Sequence, residues 1–274
     1  MIRSEYNNLE LLASKYKDQY SQAKPYPHII IDNLFDNDYL DIINNEFTTL
    51  RNNKKKINFN NFNEKKLASS RGDSDQGLNC KEFFRFLNSS KFLDFLQVLT
   101  SIKEPLIPDP HFIGGGFHET LKGGFLKIHA DFCKHPETKL DRRINLLVYL
   151  NKKWKKSFGG ELELWDKEMI SCGKKILPIF NRTVIFNTTD FTYHGLPDPI
   201  QCDESVSRRS LALYYYSNGR PKEELRPQFL SNKTTLFKKR PNEINRNILN
   251  FSYKAFIQDC LPPILFRVLR KFIK

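Results

Sequence analysis

Apolar and polar positions change period twice along the chain. Residues 4–22 place apolar side chains at helical spacing and predict an amphipathic helix, which Pro25 and Pro27 end. His28–Asp32 then reads as a short β-branched strand, and Asp36–Leu50 as a helix opened by an Asp cap. Residues 51–78 are rich in Asn, Lys and Ser with weak periodicity and read as a long surface loop. Lys81–Lys103 reads as two helices broken near 88–91. From about residue 107 the period shortens. Strands are predicted over 111–118, 124–131, 143–151, 160–165, 182–188 and 208–217, separated by Gly-rich or charged turns. Residues 218–248 are irregular and basic, and helices over 249–259 and 263–274 flank Pro262–Pro263.

This order predicts a helical support region over 1–105, a β core over 106–220 and a basic extension over 221–274, folded together as one compact domain. No internal repeat is present. An all-β barrel or sandwich core fits the short, evenly spaced strands better than βαβ units.

Composition narrows the picture. Of 274 residues, 39% are hydrophobic and 23 are Phe, enough for a packed interior and against disorder. The net charge of +13 leaves two readings open, acidic partners or a solubilising surface. Lys152–Lys156 is most simply a solvated turn. Five scattered cysteines, with no CxxC, argue against a disulfide framework or a zinc knuckle and favour a reducing compartment. The charged opening residues predict no signal peptide, and no apolar run reaches the ~18 residues of a membrane span. A cytoplasmic location follows. The last helix adds a second reading. Arg267, Arg270, Lys271 and Lys274 share one face and Leu265, Val268, Leu269, Phe272 and Ile273 the other, so 262–274 either packs on the core or a second subunit, or attaches peripherally to an anionic membrane.

Candidate chemistry lies in the β region. In Gly124–Asp131, strand alternation turns His129 and Asp131 to one face. His194 follows the strand-like Thr183–Thr188. A lone HxD is usually a surface pair, but two histidines with one carboxylate make the facial triad that suits non-haem Fe(II) and leaves coordination positions open. In Ser207–Ser217, alternation groups Arg208 with Ser210, Ala212 and Tyr214, so small residues leave room for a ligand beside the guanidinium. Arg208 could clamp a carboxylate in bidentate fashion, whereas Arg209 faces the other way. In Arg142–Asn151, the residues Arg143, Asn145, Leu147 and Tyr149 share a face. Gly114–Gly116 is a strand bend rather than a phosphate loop, since no GK[ST] follows. Cys133 and His135 read as part of a mobile loop over the site.

The succession HAD, RRINLLVYLN, GGELELW, VIF, HG and RRSLALYYY resembles the prolyl-hydroxylase-like 2-oxoglutarate/Fe(II) oxygenases over about 111–217, and Ala23–Asp32 resembles their entry segment. The YLN followed by GG is similar to the hypoxia-sensing prolyl hydroxylases. Collagen-type enzymes resemble the chain less, having Lys where Arg208 stands. The resemblance implies a double-stranded β-helix, or jelly roll, within an α+β fold that is mainly β, backed by N-terminal helices and followed by C-terminal ones. It implies Fe(II) on His129, Asp131 and His194, and 2-oxoglutarate on Arg208 and Tyr149, with Asn145 alongside. Ascorbate is the implied reductant. His118, Arg143 and Tyr214 are the candidate substrate contacts. The implied reaction is hydroxylation of a C–H bond, of a prolyl residue in a peptide or protein, with release of succinate and CO2. Asp131 argues against halogenation. Tyr214, where a nucleic-acid demethylase carries a second arginine, argues against nucleic acid as partner. A free amino acid, sugar, surface glycan or lipid as substrate, and a non-catalytic jelly-roll binding module, remain as alternatives. The sequence leaves the oligomeric state open.

Overall fold

In the computed structural model the described residues are 1–47, 54–70, 76–226 and 234–241, with Asn52, Gly72 and Glu243. Four described α-helices lie before Ser101, with strands between them. α1 (Leu9–Gln22) starts at Asn8, whose side chain accepts from the Leu11 amide at 2.9 Å, after a short 3₁₀ turn at Ser4–Tyr6. α2 (Asn37–Glu46) is capped by Asp36, as the sequence predicts. α3 (Leu78–Leu87) receives the Glu46 carboxylate on its first amides, placing negative charge at the positive end of its dipole. α4 (Ser90–Thr100) is capped by Ser89. The two helices expected over 81–103 thus form, with their break at Asn88–Ser89.

The strands are β1 (His28–Asp32), β2 (Ile57–Asn60), β3 (Glu64–Ala68), β4 (Ile107–Pro108), β5 (Gly116–Thr120), β6 (Phe125–Ala130), β7 (Asp141–Tyr149), β8 (Leu162–Trp165), β9 (Cys172–Ile176), β10 (Arg182–Asn187), β11 (Tyr193–Leu196), β12 (Arg208–Ser217) and β13 (Leu236–Phe237). They form one curled antiparallel sheet with the path β1-β10-β7-β12-β5-β3-β6-β11-β8-β9. The curl brings its two limbs face to face. Asn145 on β7 reaches Asp131, just past β6, at 2.7 Å, and the rings of Phe186 and His194 lie 4.8 Å apart. This is the curled jelly-roll sheet that the sequence implies.

Alternation on β7 decides where the core sits. Ile144, Leu146 and Val148 point outward into a cluster with Phe83, Phe92 and Phe95 of the helices. Tyr149 points inward, with Leu162, Leu164, Val184 and Phe186. Met1–Arg240 is one compact unit, in which the N-terminal helices share their core with the sheet. A second unit spans Pro241–Lys274, and the helices expected over 249–259 and 263–274 lie outside the described residues. No described helix is long and apolar enough to cross a membrane.

The expected loop over 51–78 contains the β2–β3 hairpin instead. Its alternation is hidden because the inward side chains Ile57, Phe59, Glu64 and Lys66 face a cavity rather than the core, so polar residues are tolerated there. β9 and β11 were also missing from the predicted set. β9 reads Cys-Gly-Lys-Lys-Ile with its middle exposed, and β11 has only four residues.

Candidate metal centre and co-substrate pocket

β11 pairs antiparallel with β6 so that His194 stands opposite His129, their ring centroids 4.4 Å apart. Gly195 permits this approach: a Cβ there would lie 2.7 Å from the Leu126 carbonyl oxygen and 2.8 Å from that of Lys127. Asp131 follows at the end of β6. Its Oδ1 lies 3.6 Å from His129 Nε2 and its Oδ2 3.4 Å from His194 Nε2. One donor atom from each residue lies within 4.8 Å of the others, and all three residues are buried. Ligands about 2.0–2.2 Å from one ion, at right angles, lie roughly 3 Å apart, so the cluster is close to coordination size.

The tautomers are prepared for this. His129 Nδ1 meets the Lys127 carbonyl at 2.8 Å and His194 Nδ1 the Thr192 carbonyl at 3.0 Å. A carbonyl accepts only, so each Nδ1 carries the proton and each Nε2 presents a lone pair. Burial, and then the neighbouring His129, push the His194 imidazole down to about 4, which keeps it neutral. Burial opposes the charge on Asp131, but Arg142, His194 and His129 outweigh it and hold the carboxyl well below its usual range. Two imidazoles that turn Nε2 toward an ionised carboxylate make the donor set that Fe(II) takes.

Deeper in the barrel, β12 and β7 lie side by side with Ser210 opposite Tyr149. Arg208 is 4% exposed. Its Nη2 donates to the Tyr149 hydroxyl oxygen at 3.1 Å and its Nε to the Gly160 carbonyl at 2.8 Å. Gly160 has φ +70° and lies so close that a Cβ would come within 3.2 Å of Arg208 Cδ. Among the described residues no carboxylate pairs with this guanidinium. Arg209 faces away, its Nε 3.5 Å from Glu119 Oε1 and its guanidinium stacked on Phe47.

Residues 115–216 match the model of the 2OG-Fe(II) oxygenase superfamily, a span that contains all three clustered donors, Tyr149 and Arg208. Over this span the chain is similar to the 2OG-Fe(II) oxygenases. Its fold is shared with a prolyl-4-hydroxylase of Pseudomonas putida, at TM-score 0.55 and 16% identity, covering 76% of this chain and 100% of that one. A prolyl hydroxylase of Trichoplax adhaerens, solved with a hypoxia inducible factor oxygen degradation domain peptide fragment, also has TM-score 0.55, at 18% identity, covering 78% of this chain and 92% of that one. In sequence, 89 residues are 27% identical to prolyl 3-hydroxylase OGFOD1 of Mus musculus, covering 30% of this chain and only 15% of that protein.

The chain has a cavity of about 330 Å³ in front of His129 and Asp131, walled by Phe59, Lys66, Phe112, His118, Tyr214 and Phe237, among others. His118 and Tyr214, both expected at the substrate, line it. The Tyr214 hydroxyl donates to the Gly114 carbonyl at 2.8 Å, and the half-buried His118 bonds the same carbonyl at 3.1 Å.

Arg143, the third expected substrate contact, does not reach the cavity. It bonds Glu104 and Ser217 through Nη1, each at 2.8 Å, and Glu224 at 2.9 Å through Nη2. The cause is a register shift: Tyr215 pairs with Ile144 but Tyr216 with Arg142, leaving Arg143 as the extra residue of a bulge. The bulge turns Arg142 inward instead. Its guanidinium lies 3.4 Å from the Tyr214 ring centroid and 4.6 Å from that of Phe132, and its Nη2 donates to Asp131 Oδ2 at 3.0 Å. Arg142 is the residue that sequence reasoning missed, and the adjacent Arg pair was its only signal. Asn145, expected beside the co-substrate, bonds Asp131 and Arg142. Cys133 and His135, expected on a mobile loop, are buried, and His135 Nδ1 accepts from the Glu137 and Thr138 amides.

Proposed function

We propose that this chain is a 2OG-Fe(II) oxygenase that binds Fe(II) through His129, Asp131 and His194, holds the distal carboxylate of 2-oxoglutarate on Arg208 and Tyr149, and hydroxylates a prolyl residue in a peptide or protein with O2, releasing succinate and CO2. The observation that carries the co-substrate assignment is the buried Arg208 charge, for which no described carboxylate provides a counter-ion. Such a charge is costly unless an anion joins it. With Arg208 Nη2 donating to the Tyr149 oxygen, the phenolic hydrogen is left for the same anion. Burial holds the Tyr149 phenol above its ordinary range, although Arg208 opposes this, so it stays a donor.

With Fe(II) bound at these residues, O2 would be the oxidant and 2-oxoglutarate the co-reductant, one oxygen atom entering the C–H bond as hydroxyl and the other entering succinate as CO2 leaves. The chain's own part is to orient the co-substrate and to keep the reacting C–H bond in a cavity walled by aromatic rings. The peptide reading draws its support from the prolyl 3-hydroxylase relative and from a fold shared with two prolyl hydroxylases, one of them solved with a peptide fragment. The test is succinate formation by the Fe(II)-loaded chain against proline-containing peptides, free amino acids and glycans, with a one-oxygen mass gain located by fragmentation. Turnover on glycans or amino acids and on no peptide would overturn the peptide assignment.

A further inference from the structure

Asn145 is 2% exposed, and its whole amide is engaged. Nδ2 donates to Asp131 Oδ2 at 2.7 Å. Oδ1 accepts from Arg142 Nε at 3.0 Å, from Arg142 Nη2 at 2.7 Å and from the Thr188 hydroxyl at 3.2 Å. This fixes the amide's orientation, because a flipped Asn would set its NH2 against a guanidinium and leave Asp131 Oδ2 facing an oxygen. Arg142 Nη2 also donates to Oδ2. Two donors therefore converge on one carboxylate oxygen, and among the described residues none donates to Oδ1, the atom 3.6 Å from His129 Nε2.

We infer that Asn145 and Arg142 form a clamp that makes Asp131 a one-oxygen metal ligand and sets the affinity of the site for its ion. The inference rests on the metal reading of His129, Asp131 and His194. With Oδ2 saturated by hydrogen bonds, only Oδ1 keeps lone pairs for an ion, and the carboxylate cannot rotate to chelate through both oxygens. A carboxylate locked in this way also loses no torsional freedom when the ion arrives. Asn145 is thus a positioning residue, and the β7 bulge that turns Arg142 inward is part of the same device. Outer partners of metal ligands typically contribute 10–100-fold in affinity.

The test uses the full chain, freed of metal, and Co(II) alone as a redox-stable probe read by its visible d–d spectrum. Asn145→Leu keeps the branching at Cγ and removes the donor, Asn145→Asp keeps the shape and replaces the donor with an acceptor, and Arg142→Met removes the second donor. Each variant that retains the wild-type far-UV circular dichroism should bind Co(II) about 10–100-fold more weakly. Each should also shift the d–d bands as Asp131 rotates. Because the two residues act as one unit, the Asn145→Leu/Arg142→Met double variant should lose less than the product of the single losses. Should Asn145→Leu fail to fold, the isosteric Asn145→Asp and Arg142→Met carry the test. Wild-type affinity and an unchanged spectrum in a folded variant would overturn the clamp while leaving the site intact. Failure of the wild-type chain to bind Co(II), or full binding by Asp131→Ala, would instead overturn the metal reading on which the clamp rests.

Discussion

Replacing Arg208 by Met should weaken 2-oxoglutarate binding by a calculable amount. The guanidinium is buried on β12, already oriented by Tyr149 and Gly160, and has no described carboxylate partner. Truncating one partner of a buried, hydrogen-bonded charge pair costs about 2–5 kcal/mol. At about 1.4 kcal/mol per factor of ten, this is a loss of about 30- to 4,000-fold in affinity. Tyr149→Phe removes one hydrogen bond to a charged group, about 1.5–3 kcal/mol or roughly 10–150-fold. Arg209→Met, on the opposite face against Glu119 and Phe47, should leave the affinity unchanged.

Two assays read this. The metal-to-ligand absorbance of the anaerobic Fe(II) complex, titrated with 2-oxoglutarate, gives Kd directly. Thermal or urea unfolding gives the linked stabilisation. At a ligand concentration about 100 times the wild-type Kd, the wild type gains about 2.7 kcal/mol, whereas a variant with about 30-fold weaker binding gains about 0.9 kcal/mol. Equal weakening by Arg208→Met and Arg209→Met would mean that the strand phase is misread. Wild-type affinity in Arg208→Met would remove this arginine from the co-substrate site.

Three further outcomes are expected. His129→Ala, Asp131→Ala and His194→Ala should each abolish iron loading under anaerobic conditions with the fold retained; full iron content in the His194 variant would refute the ligand set. The metal-free chain should lose stability as pH falls: His194 is near 4 when folded against 6.5 when unfolded, so between those values the unfolded chain binds a proton that the folded chain refuses. The urea midpoint should therefore drop from pH 7 to pH 5, and the drop should shrink in His194→Ala; an unchanged slope in that variant would exclude His194 as the source. Deleting 262–274 should abolish salt-sensitive binding to anionic vesicles if that basic, two-faced segment is a membrane anchor, and the anchor reading fails if the intact chain ignores such vesicles at low salt.

The triad was legible because it needs only local rules. His129 and Asp131 are two apart at a strand's end, and His194 with Gly195 carries its own signature, the glycine being required where β11 closes on β6. Arg208 and Tyr149 were legible for a similar reason. β7 and β12 alternate without interruption from Asn145 to Tyr149 and from Arg208 to Tyr215, so counting in twos gives the inward face. The β2–β3 hairpin was not legible, because strands that face an open cavity rather than the packed core mix Glu64 and Lys66 with Ile57 and Phe59 and carry no unbroken apolar stripe.

The misplacement of Arg143 has a different cause, and it explains why one strand was read both rightly and wrongly. Alternation carries phase along a strand only while each residue has one partner, and a bulge breaks the count by one, exchanging the two faces beyond it. The bulge on β7 falls between Ile144 and Arg142, at the strand's start, so the phase holds at Asn145, Leu147 and Tyr149 and is reversed before them. Two adjacent arginines then make the error invisible, since either could be the inward one. Nothing local distinguishes them. What does is the partner strand, where Tyr215 and Tyr216 set the register, together with the acidic groups on each side: Glu104 and Glu224 take the outward guanidinium and Asp131 the inward one. Asn145 was assigned to the wrong partner for the same reason. Its face was right, but its amide is committed to an arginine that the unbroken count had turned away from the site.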